Sequence, residues 1–445
     1  MTSLRKPWAL AAALMVLTFG AAAQAQEITF WVMPNAPDII HVPWLEQKTQ
    51  EFYEETGIRV HYEIVGWDEA WIRISTALIT GEGVDVFQAG TTWNPQFAAT
   101  GAVSELDIDE FGGADAFMEA NLISTTYQGR YYGVPWFAET RVLFYNKDMF
   151  EAAGVEPPQT YEELMEVGRR IVETHGTGSA IAIAGTNAWD LIHNWAIILW
   201  ANGGDLVDMS ARKAVFNGPE GVAAMEYYVD LVRQGLASRA TAEYNQPQAD
   251  AAFINGNVAM AFMGPWNIAD IEVENPSLHY GVVEPPAGPA GRAAFSGGSN
   301  LVILKASPHQ EAAKQWIQFL LRPENLVAYT RDLSKMLPAT LEAFADPYYE
   351  TGVWQVFKTA LGYATAYPPL AVWGDIENAV MGEFRNVLTA YVEGSLERQG
   401  GVQTFLDRAA QRVDQALERE IGRASSELQL HKQKTAYEIS LCDWS

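Results

Sequence analysis

The 445-residue chain holds a single cysteine, Cys442, and seven histidines. One thiol excludes a disulfide framework within the chain and any Cys-x-x-Cys redox or zinc motif. The histidines are scattered, none paired with another at metal-ligand spacing, so no metal and no cofactor is expected. Catalytic signatures are missing as well. There is no Gly-x-Ser-x-Gly elbow, no phosphate-binding loop with its Gly-Lys pair and no His-Glu-x-x-His. Positive charge is scarce: 29 Lys and Arg stand against 55 Asp and Glu, a formal net charge of −26. So acidic a surface repels phosphate backbones and anionic lipid, which argues against nucleic acid or a membrane surface as partner.

Long apolar runs are confined to the start. Residues 1–25 have the anatomy of a secretory signal, with Arg5 and Lys6 ahead of an Ala-rich apolar segment at 9–23. Ala23-Gln24-Ala25 fits the small-x-small cleavage rule, so the mature chain is expected to begin at Gln26. No cysteine stands there to carry a lipid, which points to a free periplasmic protein. At the other end the amphipathic pattern stops after Gly422. Residues 423–445 are expected to form a disordered tail, partly artefactual, because 432–445 resembles a translated DNA sequencing adapter. Roughly 400 mature residues exceed one ordinary core, so two lobes are expected.

From Gln26 the pattern reads strand, helix, strand, helix, strand, at 28–32, about 38–55, 59–65, about 71–79 and 84–89. That rhythm predicts an α/β fold with a mainly parallel sheet flanked by helices. Ligands of such sheets sit beyond the carboxyl ends of the strands. Those ends carry Met33-Pro34-Asn35, Trp67-Asp68 and Thr92-Trp93. A second unit follows. Thr160 and Glu163 cap a helix to about 174, and a strand at 180–184 ends at Gly185-Thr186-Asn187. Helices at 189–200 and about 219–234 lead to a strand at 256–263 that runs into Gly264-Pro265-Trp266. The chain then returns through strands at 279–286 and 299–304 and a helix ending near 321. Leu337-Pro338 marks a further crossing, before helices at 354–361, 373–391 and 402–421.

The stretch 132–148, YGVPWFAETRVLFYNKD, joins a breaker, an aromatic pair, a lone acid (Glu139) and a continuous apolar run. An acid beside aromatics at a chain crossing is placed to hydrogen-bond a polar ligand in a cleft. Tryptophan is the abundant special residue, with fifteen copies. Trp67, Trp93, Trp136, Trp189, Trp266 and Trp373 fall at expected strand ends, helix starts or crossings. A sugar offers an apolar C–H face to an aromatic plate and a hydroxyl rim to polar side chains. Core packing is the competing role, expected for Trp200 and Trp316.

Several motifs occur in a fixed order: Asp85-Val86 before Thr92-Trp93, the YNKD stretch, Trp200-Ala201-Asn202-Gly203-Gly204, the 253–266 stretch with Gly264-Pro265-Trp266, and Ser296-Gly297-Gly298-Ser299. In this order they resemble the bacterial extracellular solute-binding proteins of family 1, the maltose-binding-protein-like sugar receptors of ATP-driven importers. The resemblance implies two lobes, 26–137 with 283–338 and 138–282 with 339–422, joined by three crossing segments that act as a hinge. It also implies a monomer that carries a disaccharide or short oligosaccharide or glycoside to permease subunits served by a separate ATPase. By the same resemblance Trp266 and Trp373 stack on the ligand and Glu139 binds its hydroxyls. Thr92 and Trp93 line the first lobe's edge, where maltodextrin binders have a polar pair, so a long maltodextrin is not expected. Gly298 and Ser299 let backbone approach the ligand, Asp68, Asn187, Asp190, His193 and Arg331 are rim candidates, and Trp67 and Trp136 stay aromatic contact candidates by their positions. Two alternatives stay open: a polyamine binder of the same fold, and a secreted carbohydrate-active enzyme with a pair of catalytic acids.

Overall fold

A computed structural model describes residues 26–186 and 188–442, and the side chains of 68, 188–190 and 423–442 lie outside that description. The expected leader at 1–25, Asn187 and residues 443–445 lie outside it too.

Local chemistry sets the element ends. The helix Asp38–Thr56 stops where Gly57 takes φ 73° and donates its N–H to the Tyr53 carbonyl, and Trp67–Thr80 stops at Gly81, φ 74°, in the same way. Without a Cβ, glycine enters this left-handed region at little steric cost. Thr160 Oγ1 accepts from the Glu163 N–H at 3.1 Å, and the Glu163 carboxylate accepts from the Gln159 N–H at 2.6 Å. This cap starts the helix Tyr161–His175.

Two sheets follow from these elements. The first lobe has six strands in the order Leu337–Pro338, Val134–Glu139, Gly297–Ile303, Val86–Gly90, Glu27–Val32, Arg59–Ile64. The second has four, Tyr280–Val283, Val142–Asn146, Met260–Met263, Ile181–Ala182. The two-lobed α/β architecture is the expected one, but the sheets are mixed rather than mainly parallel. Glu27–Val32 pairs in parallel with both its neighbours, whereas Gly297–Ile303 and Leu337–Pro338 pair antiparallel. In the second sheet only the pairing of Met260–Met263 with Ile181–Ala182 is parallel. The antiparallel members are the strands that enter or leave a crossing.

The chain changes sheets at Thr140-Arg141, in the link between Val283 and Gly297, and after Pro338. Glu139 therefore still belongs to the first sheet and Val283 to the second, which shifts both from the sides expected of them. Each lobe has its own core. Phe30, Trp136, Leu301, Trp316 and Tyr329 fill the first, and Leu143, Trp195, Met225, Phe384 and Leu406 the second. A smaller cluster around Ala138, Phe144, Leu337 and Phe357 packs along the crossings. Separate cores joined by narrow links suit rigid-body rotation of the lobes.

The last helix differs from expectation. It runs over Gly401–Cys442 rather than ending at 421 before a disordered tail. Past Gly422 the segment 423–437 holds two each of Ala, Leu, Gln and Lys and no Gly or Pro, so intrinsic propensity favours continuing the helix.

Candidate functional site

Between the lobes lies a small cavity, partly open to solvent. The first lobe contributes Thr91, Thr92 and Pro95, from the turn after Val86–Gly90 and the start of Asn94–Ala99, and Ser124 beside Glu119–Ile123. Ser296 comes from the second link, and Ala366, Tyr367, Pro368, Pro369 and Trp373 come from the second lobe.

Backbone pairing fixes the hydroxyl side. The Thr91 N–H donates to the Gly298 carbonyl at 3.2 Å. Ser124 Oγ donates to the Asn121 carbonyl at 2.6 Å and accepts from Asn300 Nδ2 at 3.0 Å. The Ser296 N–H donates to the Thr365 carbonyl at 3.0 Å, while its buried Oγ makes no hydrogen bond among the described residues. Glycine is required just beyond. Gly298 has φ 132°, and a Cβ there would collide with the Phe137 carbonyl of the neighbouring strand.

Stacking and two polar handles hold the opposite wall. The Tyr367 and Trp373 rings stack with centroids 4.4 Å apart. Trp373 Nε1 donates to Glu377 at 2.8 Å, and the Tyr367 hydroxyl lies 2.8 Å from His193 Nδ1. His193 in turn stacks on Phe295 at 4.0 Å. Burial, with the Arg141 charge as a smaller cause, holds the His193 pKa well below its usual value, so the ring is neutral. Phe295 lies on the short strand Ala294–Phe295, which pairs with Ala364–Thr365 and so ties the aromatic wall to the second link.

Of the candidates read from sequence, Thr92 and Trp373 lie in the cavity wall. Glu139 is buried beside it, its carboxylate packed where a side chain on Gly297 would go and 3.7 Å from Arg141. Trp266 lies where the lobes meet, against the first lobe's core, with the Arg141 guanidinium 5.1 Å from its ring centre.

Other candidates lie outside the cavity lining. Trp136 is fully buried and stacks on Tyr329 at 4.2 Å, so it is a core residue. Trp93 is buried among Trp67, Trp71 and Phe97 inside the first lobe, and Trp67 caps that cluster. Ser299 is likewise buried, its Oγ accepting from Gln88 Nε2 at 2.8 Å in a network with Asn35 and Tyr329. Arg331 bonds Asp332 and pairs with Asp346, outside the cavity lining. Its hydrogen bonds to Asp332, with lesser help from the surrounding charges, raise its pKa further. His193 acts behind the wall rather than on the rim. Asn187 and the side chains of Asp68, Trp189 and Asp190 lie outside the described residues. Sequence reasoning missed Ser124, Arg141 and the run Tyr367-Pro368-Pro369. That run carried a usable signal, an aromatic beside two breakers just ahead of Trp373.

The sequence model described as bacterial extracellular solute-binding protein matches residues 37–326. The chain belongs to this family. Among solute-binding relatives, it is 28% identical to the diacetylchitobiose binding protein DasA of Streptomyces coelicolor over 392 residues, 84% of this chain and 87% of that one. Its fold matches that of an ABC transporter solute-binding protein from Thermotoga lettingae bound with α-D-tagatose. The TM-score is 0.76 at 26% identity, over 88% of this chain and all of that one. Maltose-bound MalE3 of T. maritima matches with TM-score 0.75 at 25% identity, over 88% and 99% of the two chains. Among the described residues no helix is long and apolar enough to cross a membrane, and no group of three or more His, Cys, Asp or Glu is placed to hold a metal.

Proposed function

We propose that the chain captures a neutral sugar, a disaccharide or short oligosaccharide or glycoside, between its lobes and delivers it to a permease driven by a separate ATPase. One observation carries this reading. The cavity sets Thr91, Thr92, Ser124 and Ser296 against Tyr367, Trp373, Pro368 and Pro369. A sugar ring meets the first group with its hydroxyl rim and the second with its C–H face. None of the ten lining residues carries a carboxylate, a guanidinium or an ammonium. A polyamine, which needs acids around an aromatic box, therefore fits less well. Sugars named for relatives and in solved neighbours support the same class.

We take Thr92 and Trp373 as direct ligand contacts, Glu139 as a polar group buried behind the lining and Trp266 as a lobe-interface residue that the ligand reaches on closure. A binding role rather than a reaction is supported by relatives that are binding proteins and by a lining without the two carboxylates that glycoside hydrolysis uses. The leader-like 1–25 supports export to the periplasm, with a mature chain starting at Gln26.

Titration calorimetry with maltose, diacetylchitobiose, tagatose and spermidine tests the proposal. Saturable binding of at least one sugar, recovered unchanged after prolonged incubation, is expected. Binding of spermidine alone, or hydrolysis of the sugar, would overturn it.

A further inference from the structure

From Leu191 onward the helix Ala188–Ala201 is apolar apart from two neighbours, His193 and Asn194, setting aside the indole N–H groups. Both are buried. A polar side chain so placed is expected to find a hydrogen bond. Asn194 finds one inside its own lobe, Nδ2 donating to Gln246 Oε1 at 3.3 Å. His193 reaches the cavity wall instead, with Nδ1 2.8 Å from the Tyr367 hydroxyl.

That bond falls where the backbone supplies little order. Tyr367 stands in 366–370, outside every helix and strand, so no ladder of backbone hydrogen bonds sets its ring. Stacking on Trp373, at 4.4 Å and 27° between planes, sets which face the ring shows. A hydrogen bond at the hydroxyl sets where the ring lies within that plane. The imidazole is itself held from the other side, stacked on Phe295 at 4.0 Å and 12°. Phe295 directly precedes Ser296, which lines the cavity. His193 thus joins the neighbour of one lining residue to the hydroxyl of another.

The sense of the bond follows from the chemistry of the two groups. Burial, with the Arg141 charge as a smaller cause, keeps the imidazole neutral, so one of its nitrogens is bare. A phenol gives up its proton more readily than an imidazole N–H, and the bare nitrogen accepts better than a phenol oxygen. The Tyr367 O–H therefore donates to Nδ1.

We propose that His193 is the positioning residue of the aromatic wall. By accepting a hydrogen bond from the Tyr367 hydroxyl it fixes that ring against Trp373 in the placement that a ligand ring meets. It does not touch the ligand. Its effect on sugar affinity rests on the sugar-binding reading above, and its effect on the placement of Tyr367 does not.

Three substitutions separate the bond from the packing. Asparagine carries a polar atom where Nδ1 stands, so His193→Asn keeps the bond and loses the ring stack. His193→Leu fills the space and loses the bond, and Tyr367→Phe removes the donor. In crystal structures of the unliganded full chain, the Tyr367 ring should leave the Trp373 stack in His193→Leu and keep its place in His193→Asn. Calorimetry with maltose, diacetylchitobiose and tagatose then reads affinity. A sugar that binds wild type should bind His193→Leu about ten-fold and Tyr367→Phe about three-fold more weakly, with His193→Asn between wild type and Tyr367→Phe. The double variant His193→Leu/Tyr367→Phe should bind no more weakly than His193→Leu, because the hydroxyl left without a partner is gone. A Tyr367 ring unmoved in His193→Leu, or losses that add in the double variant, would overturn the proposal. So would a lowered melting temperature with unchanged affinity in His193→Leu, the mark of packing alone. If none of the three sugars binds wild type, the sugar reading fails, and the crystal structures still decide the role of His193.

Discussion

His41 is fully buried in the helix Asp38–Thr56, and neither ring nitrogen finds a hydrogen bond among the described residues. Burial, partly offset by the Asp38 charge, lowers its pKa from 6.5 to about 4. Below pH 6.5 the unfolded chain takes up a proton there that the folded chain refuses until about pH 4. Stability is therefore whole above pH 6.5 and falls as the pH drops toward 4, by on the order of 3 kcal/mol from this residue. His193 acts in the same direction. His41→Leu should remove part of the acid loss, read as a smaller drop in the urea midpoint between about pH 7 and about pH 4.5. A drop equal to wild type would contradict this assignment. Two tryptophans give the complementary residue-scale prediction. Trp136→Ala should cost about 3–5 kcal/mol of stability while the folded fraction keeps its sugar affinity. Trp373→Ala should also weaken binding by on the order of 2 kcal/mol, because it removes part of the cavity wall. Calorimetry and melting on both variants separate the roles.

Among the elements, the strand Gly297–Ile303 carries the most constraint, because it pairs with both Val134–Glu139 and Val86–Gly90 and begins at the second link. Gly298→Ala places a Cβ against the Phe137 carbonyl and strains φ at 132°, so this pairing must shift. A lowered melting temperature with weakened sugar binding is expected, and a variant as stable as wild type would show that the strand tolerates the shift. Glycine punctuation and apolar runs made most elements legible in the sequence. The helix closed by Gly57 and the cap at Thr160 follow from local chemistry. Strand direction was not legible, because it depends on where the chain returns. Nor does sequence separate a tryptophan in a core from one in a cleft. Trp136 and Trp373 both follow breakers in the sequence, and only packing against Tyr329 or Tyr367 tells them apart. Tyr367-Pro368-Pro369 belongs to no regular element, so periodicity was silent about three of the ten lining residues.

At the scale of the whole molecule, two cores joined by three links make a body that can open and close. The hydroxyl side of the cavity comes from the first lobe and the second link and the aromatic wall from the second lobe, so a sugar that touches both favours the closed form. Sugar binding should therefore compact the protein, read as a smaller radius of gyration at saturation. The net charge of −26 plays no part in this recognition, because the lining is uncharged. Affinity should accordingly change little as salt is raised, and a steep salt dependence in calorimetry would point to a charged ligand. The most direct measurement is a crystal structure of the protein with the sugar that binds in the calorimetric panel. The account predicts one ring against Tyr367 and Trp373, with hydroxyls meeting Thr91, Thr92, Ser124 or Ser296 and the lobes closed around it. A sugar bound on one lobe with the cleft open, or held away from the Tyr367–Trp373 wall, would contradict it.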